Sequence, residues 1–257
     1  MLELFLAEFR RGWIQFIRYP LEAIAGVIIT TSFFYGLFLS VRYIAGPSLQ
    51  LGDRLDAIVI GYVLWSLVTF ILFDIAGGLQ SEAQTGTLEQ LFLSPFGAPL
   101  VFIMRTLASL VRQLILILAI LLIIMGLTGS RLQFPPSLFL PLLTILLGAY
   151  GLSFIMGSLA LLFKRVQQLL GIFQFALLFL MATPTETWTG SLQIIRWLLP
   201  MTGGAGLLRD LMARGEGLDF VDFSFALLNG VGYFGLGLFI FCFAEREAKR
   251  RGMLGGY

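Results

Sequence analysis

The sequence predicts an all-α integral membrane protein with six transmembrane helices, and three observations point to this fold class. Of the 257 residues, 58% are hydrophobic and 12% are charged, whereas soluble domains are about 45–50% apolar and roughly 25% charged. The mean hydropathy is +0.92. Six segments approach or exceed the roughly 20 apolar residues that a helix needs to cross a bilayer. The predicted spans cover residues 21–43, 57–79, 100–128, 138–163, a shorter 166–183, and 223–243.

Residues 1–20 predict an amphipathic helix of another kind. At the helical spacing, Phe9 and Trp13 fall on one apolar stripe, and Arg11 lies on the opposite side. The combination of Arg10, Arg11 and Trp13 beside a long apolar span favours a helix in the membrane interface. The alternative is an ordinary surface helix packed on protein. Pro20 breaks this helix and allows a turn into the first span.

The distribution of basic residues predicts the orientation of the chain. If the N-terminus is cytoplasmic, six spans place eleven of the 17 lysine and arginine residues on the cytoplasmic side. Cytoplasmic loops carry an excess of such residues. We therefore expect both termini in the cytoplasm.

Residues 184–213 fit neither a polar loop nor a span. Pro184 and Pro200 bracket an apolar run that is too short to cross the membrane, and a short amphipathic helix follows. Helices at membrane depth that do not span must be buried in protein or line a wet cavity. We predict a re-entrant helix pair on the extracytoplasmic side, the alternative being a helical loop at the interface. The candidate outer-gate residues are Pro184, Glu186, Trp188, Pro200, Thr202 and Arg209.

Two sets of charged residues each have two interpretations. Glu186 is a candidate for contacting cargo or closing an outer gate, and the alternative is a solvated loop charge. Asp74 lies in the second predicted span, while Arg105 and Arg112 are seven residues apart and share one face of the third. Charges at this depth are costly, so one hypothesis is that Asp74 pairs with one of the arginines. The alternative is that all three extend independently to the interface.

Composition excludes several function classes. Histidine is absent and Cys242 is the single cysteine, which argues against metal and thiol chemistry. The net charge of +2 is too balanced for a nucleic-acid binder. Neither lysine lies in a Gly-x-x-x-x-Gly-Lys-Ser/Thr loop. We expect one transmembrane domain over residues 1–257, with no catalytic site, no metal, no nucleotide-binding domain and no nucleic-acid partner.

The segment 80–97 predicts a short helix between the second and third spans. A polar helix breaks at Thr85-Gly86-Thr87, and Thr87 is placed to cap a new helix, with Gln90 completing a capping box. Ser94-Pro95 ends that helix. Its amphipathic character predicts a rigid cytoplasmic contact for a soluble partner.

This stretch resembles the signature of the type-2 family of ATP-binding-cassette (ABC) permeases. The residues that carry the resemblance are Glu82, Gly86, Thr87, Leu88, Glu89, Gln90, Leu91, Ser94 and Pro95. A second stretch, Leu199-Pro200-Met201-Thr202 followed by Leu207-Leu208-Arg209, is similar to the family's Asn-Pro-Leu-Thr…Ala-Leu-Arg segment. Leu199 and Met201 depart from that pattern. The N-terminal amphipathic helix also looks like the family's connecting helix.

The resemblance implies a fold, a function and partners. The residues of the 80–97 stretch would form the coupling helix that docks on an ATPase subunit. The chain would be a permease subunit of an exporter for an amphipathic drug, lipid or glycan, in the bacterial cytoplasmic membrane and in contact with its lipid. Its partners would be two ATPase subunits, which hold ATP and Mg, and a second permease copy or paralogue.

Three rival functions differ in what they require. A secondary transporter driven by an ion gradient usually shows inverted repeats and acidic residues near the midplane, and Asp74 is the one candidate for such a residue. A membrane-embedded enzyme needs clustered catalytic groups, which the scattered carboxylates do not predict. For a passive scaffold, the likeness of residues 80–97 to a coupling helix would be accidental.

Overall fold

The structure is a computed structural model that describes residues 2–45, 52–85, 98–163 and 166–250, which fold into α-helices joined by short turns. The α-helices are α1 (Leu2–Arg18), α2 (Pro20–Ala45), α3 (Gly52–Thr85), α4 (Ala98–Thr128), α5 (Phe139–Phe163), α6 (Gln167–Ala182), α7 (Ser191–Leu198), α8 (Thr202–Arg209) and α9 (Phe220–Arg250). Short 3-10 turns occupy Pro136–Leu138 and Thr185–Thr187, and a π-helical turn covers Asp210–Arg214.

Five helical segments in the described residues are long and apolar enough to cross a membrane. They are Pro20–Ser40, Leu55–Glu82, Leu100–Thr128, Pro136–Phe163 and Phe220–Arg250. The all-α integral membrane fold is therefore confirmed. The predicted fifth span corresponds to α6, whose 16 residues extend about 24 Å at the helical rise, less than the roughly 30 Å hydrocarbon core. Six crossings remain a prediction.

Helices α3 and α5 form the centre of the bundle. Most of their apolar residues are buried, including Val59, Leu72 and Ile75 on α3. Helix α3 packs against α4, α5 and α6, while α5 packs along α9. The outer helices expose large apolar side chains such as Ile29 on α2 and Phe239 on α9. Exposed apolar faces of this kind suit a lipid solvent, in which burying apolar surface gives no advantage.

Glycine allows the close approach of α5 and α9. A Cβ atom on Gly237 would overlap the backbone carbonyl of Gly151, and one on Gly151 would overlap the carbonyl of Tyr233. The two backbones are thus in direct contact, as small residues permit between membrane helices. Gly232 on the same helix faces open space. Close packing through small residues therefore occurs on one face of α9.

Side-chain hydrogen bonds join α3 to three neighbouring helices. Each donor reaches a backbone carbonyl on another helix: Ser153 Oγ donates to Ile71 O (2.8 Å), Trp65 Nε1 to Gln174 O (2.8 Å), and Tyr62 OH to Thr30 O (2.7 Å). These contacts fix the position of α3 against α5, α6 and α2. Helix α3 is therefore held along much of its length.

Candidate functional sites at the two ends of the bundle

Arg105 joins three helices near the end of α3. Its Nη1 donates to Glu82 Oε1 at 3.0 Å, and its Nε lies 3.5 Å from Glu8 Oε2. Glu8 belongs to α1, Glu82 to the last turn of α3, and Arg105 to the second turn of α4. We call Glu8, Glu82 and Arg105 the Arg105 cluster. Its three side chains are between 17% and 19% exposed. The cluster therefore links the three helices while remaining partly accessible at the surface of the bundle.

Asp74 lies one layer deeper, and its partner is a serine. Ser109 Oγ donates to Asp74 Oδ2 at 2.6 Å. Arg105 and Arg112 both act on Asp74 electrostatically, but the ion pairs of Arg105 are with glutamates. Among the described residues this hydrogen bond takes the place of a direct Asp74–arginine ion pair, which was one of the two hypotheses from the sequence. Ser109 lies between the two arginines on the same face of α4 and its short side chain is adjacent to Asp74.

The predicted coupling-helix residues fall almost entirely outside the described part of the chain. Gly86, Thr87, Leu88, Glu89, Gln90, Leu91, Ser94 and Pro95 lie within 86–97, beyond the described residues. Glu82 is described and belongs to the Arg105 cluster. The structure therefore places the point where the chain enters this segment, and the assignment of the segment stays a prediction.

The N-terminal helix forms as predicted and packs along α4. Phe9 and Trp13 stack with their ring centroids 5.9 Å apart. Arg10 and Arg11 are exposed, and Arg11 Nη1 lies 4.0 Å from Glu8 Oε2. The apolar stripe is thus partly used for packing on protein. Its location in the membrane interface remains a prediction.

Buried charges meet at the opposite end of α3. Arg209 Nη1 donates to Glu186 Oε2 at 2.7 Å, and these side chains are 1% and 5% exposed. The second carboxylate oxygen of Glu186 accepts from Arg214 Nη2 at 3.2 Å. Arg209 Nη2 also donates to the backbone carbonyl of Met181, and Arg214 donates to Asp210. We call Glu186, Arg209, Asp210 and Arg214 the Arg209 cluster.

The Arg209 cluster is a set of paired charges, and its central pair is buried. The alternative of a solvated loop charge for Glu186 is wrong, because both carboxylate oxygens are occupied by arginines in a buried setting. Desolvation lowers the pKa of Arg209, and the charge of Glu186 opposes that shift. Desolvation likewise raises the pKa of Asp210 against the effect of Arg214. Breaking a buried pair of this kind leaves an uncompensated charge, so the cluster fastens the turn after α6 firmly to the end of α8.

Local backbone turns bring the members of the Arg209 cluster together. Pro184 follows α6 and precedes the 3-10 turn that carries Glu186. Helix α8 begins at Thr202 and ends at Arg209, where the π-helical turn continues to Arg214. Trp188 ends the 3-10 turn with a backbone hydrogen bond to Thr185 and is partly exposed. The cluster therefore ties the turn after α6 to the end of α8.

The segment between Pro184 and Arg214 contains two short helices of different burial. Helix α8 is buried and packs against α5 and α9. Helix α7 lies outside it and is held by Arg196 Nη2, which is 3.1 Å from Asp222 Oδ2. Thr202 Oγ1 donates to Arg196 O at 2.6 Å across the turn that includes Pro200. At this turn Met201 has a φ of 63°, the left-handed region that side chains other than glycine rarely adopt.

Several residues of both sites escaped the sequence analysis. Arg214 follows Asp210 by four residues, a spacing that predicts an ion pair on a helix, so a signal was present. Ser109, Glu8 and Asp222 gave no such signal, because their partners are far away in the chain.

Long apolar helices with exposed apolar outer faces, and ion pairs at both ends of α3, define a multi-pass integral membrane protein. A family model described as ABC-2 type transporter matches residues 3–213. The chain belongs to this family and is a permease, the membrane component of an ABC transporter, which confirms the resemblance of its sequence. Members of this family normally work with an ABC ATPase subunit. A search of curated proteins found no match.

Proposed function

We propose that this permease is the transmembrane subunit of an ABC exporter, and that its 80–97 segment docks on a separate ATPase subunit. The observation that carries the proposal is the Arg105 cluster, in which one arginine joins α1, α4 and the end of α3. Helices α3 and α4 flank the 80–97 segment. A displacement of that segment therefore reaches three helices through side chains held within hydrogen-bonding distance.

Helix α3 provides the route from one end to the other. It extends from Ala57, beside the Arg209 cluster, to Glu82 in the Arg105 cluster, a distance of about 37 Å at the helical rise. A pocket of about 530 Å³ lies between the start of α3 and Arg209. We infer that the Arg209 cluster acts as the outer gate of the permease. ATP binding would close the ATPase subunits, shift the 80–97 segment and move the Arg209 cluster as an intact unit in a two-state mechanism.

The exposed apolar surface of α2 bears on the second permease and on the path of the cargo. Helix α2 exposes most of its apolar surface, including Ile28 and Ile29. We propose that a second copy or a paralogue contributes the other half of the pathway, and that an amphipathic drug, lipid or glycan moves between them. In this account both termini are cytoplasmic, the membrane is the bacterial inner membrane, and ATP and Mg bind the partner ATPase.

The secondary-transporter alternative rests on Asp74. Its carboxylate lies within the bundle and accepts a hydrogen bond from Ser109. An ion-coupled carrier would need this carboxylate to exchange its ion during transport. The two functions differ in their energy source, so a transport assay in proteoliposomes with either ATP or an ion gradient separates them.

The experiment combines co-purification with ATP hydrolysis. The tagged permease is isolated from gently solubilised membranes, and co-purifying chains are identified and assayed for ATPase activity. We expect an ATPase subunit to be recovered with the wild type and lost with Leu88→Asp. Arg131→Gln, a basic residue outside both clusters, is the matched control. Recovery of the permease alone, under conditions that keep other transporter complexes intact, would overturn the proposal.

A further inference from the structure

Next to the Arg105 cluster, a separate pocket opens between α1, α2 and α4. Its volume is about 260 Å³, and its wall includes Gln15, Tyr19 and Glu22 on the outside and Phe70 and Ile120 at depth. Ile120 is fully buried, whereas Glu22 is exposed. The pocket thus has a polar rim and an apolar inner end, the polarity profile of a lipid molecule at the edge of a bilayer.

Arg112 is the cation of this pocket, and no described residue accepts a hydrogen bond from it. Within the described residues, Arg112 forms no hydrogen bond or ion pair, although it acts electrostatically on Asp74. The neighbouring arginines differ, since Arg105 pairs with two glutamates and Arg11 lies 4.0 Å from Glu8. A partly buried guanidinium whose donors have no acceptor among the described residues favours a phosphate as its ligand.

Gly12 on α1 makes room for this guanidinium. A Cβ atom on Gly12 would overlap Nη1 of Arg112. The absence of a side chain at position 12 therefore lets Arg112 lie against the backbone of α1 at the mouth of the pocket. Any larger residue would push the guanidinium away, which gives a way to disturb the site without removing its charge.

The second charged residue of the pocket, Glu22, restricts the type of headgroup that can bind. Glu22 lines the same pocket as Arg112, so the rim carries one cation and one anion. Arg112 also lines the adjoining pocket, which contains Asp74, but the carboxylate of Asp74 accepts a hydrogen bond from Ser109. An anionic headgroup would satisfy Arg112 but be repelled by Glu22. A zwitterionic headgroup with a phosphate and an ammonium group satisfies both.

We propose that this pocket binds phosphatidylethanolamine from the adjacent membrane leaflet as a fixed lipid. Its phosphate pairs with Arg112, its ammonium group pairs with Glu22, and the start of an acyl chain occupies the apolar end. The remaining chain follows the exposed apolar face of α2, which includes Ile24 and Ile28. The bound lipid holds α1 against α2 and α4. This site is independent of cargo and of ATP.

The test is native mass spectrometry of the delipidated permease titrated with phosphatidylethanolamine, phosphatidylglycerol or inorganic phosphate. We expect the wild type to prefer phosphatidylethanolamine. Arg112→Gln and Gly12→Ala should each weaken its binding about tenfold, the effect of losing one good charge-assisted interaction. Glu22→Gln should remove the preference over phosphatidylglycerol. Arg18→Gln, an exposed basic residue of α1 outside the pocket, is the matched control and should bind as the wild type.

Three results would overturn the inference. The first is unchanged phosphatidylethanolamine binding by Arg112→Gln. The second is a preference of the wild type for phosphatidylglycerol, and the third is displacement of the lipid by millimolar inorganic phosphate, which would indicate a site for the free anion. Thermal unfolding midpoints establish that each variant is folded. If Arg112→Gln does not fold, Arg112→Lys and the exposed Glu22→Gln carry the test. Lysine should retain part of the binding because it keeps the charge.

Discussion

The Arg105 cluster and the Arg209 cluster hold opposite ends of α3 in different ways. In the Arg209 cluster, a carboxylate with 5% exposure takes an arginine on each oxygen, and one of those arginines is 1% exposed. In the Arg105 cluster, the three side chains are 17–19% exposed. A nearly fully buried pair is costly to break, and the cost falls as its partners become more accessible to water. The start of α3 is therefore held more firmly than its end, where the ion pairs can rearrange at a lower cost.

The largest effect should come from the Arg209 cluster. Glu186→Gln leaves Arg209 buried without its carboxylate and should reduce the free energy of unfolding by about 3–5 kcal/mol. Chemical or thermal unfolding in detergent measures this. Glu216→Gln, an exposed glutamate just after the cluster, should behave as the wild type. If Glu186→Gln were as stable as the Glu216→Gln control, the Arg209 cluster would not hold its end of α3 more firmly than the Arg105 cluster holds the other.

The seam between α5 and α9 should be nearly as sensitive. Gly237→Ala places a Cβ atom against the backbone carbonyl of Gly151. Because the contacted atoms belong to the backbone, a change of side-chain rotamer cannot relieve the overlap. Overpacking of this kind costs about 1–3 kcal/mol. Gly232→Ala lies on the same helix in open space and should leave the unfolding midpoint unchanged. Equal midpoints for the two variants would contradict the packing described for this seam.

A smaller loss should follow from removing the partner of Asp74. Ser109→Ala leaves the carboxylate without its hydrogen-bond donor and should lower stability by about 1–2 kcal/mol. Ser40→Ala is the control, because Ser40 is exposed and bonds within its own helix. If Asp74 instead relies on Arg112, Ser109→Ala will match the control and Arg112→Gln will carry the loss.

The smallest change in stability should come from the Arg105 cluster itself. Arg105→Gln removes two ion pairs whose side chains keep 17–19% exposure, so water can reach the glutamates left behind and the free energy of unfolding should fall by about 1 kcal/mol. The same denaturation assay should place it well below Glu186→Gln. A loss equal to that of Glu186→Gln would show that both ends are held equally firmly and would contradict the comparison.

The sequence predicted the helices better than their contacts. Apolar runs located four of the five long segments within three residues at each end, because lipid imposes a length on each helix, whereas the last segment continues to Arg250, seven residues beyond its predicted end. The pattern of Phe9 and Trp13 predicted α1, which forms as Leu2–Arg18. The partners of Asp74 and Arg105 were not predictable, since Ser109 and Glu8 are distant in sequence and the choice depends on how three helices cross. The burial of Glu186 likewise depends on a 3-10 turn that no sequence pattern predicted.

The central claim is that Arg105 joins the 80–97 segment to the bundle, and a charge swap tests it most directly. ATP hydrolysis driven by cargo is measured in proteoliposomes containing the permease and its ATPase. Glu82→Arg and Arg105→Glu should each abolish the stimulation by cargo while leaving the permease folded, and the double variant should restore a substantial part of it. Stimulation that survives either single variant would contradict the account. So would a double variant that is no better than the single ones.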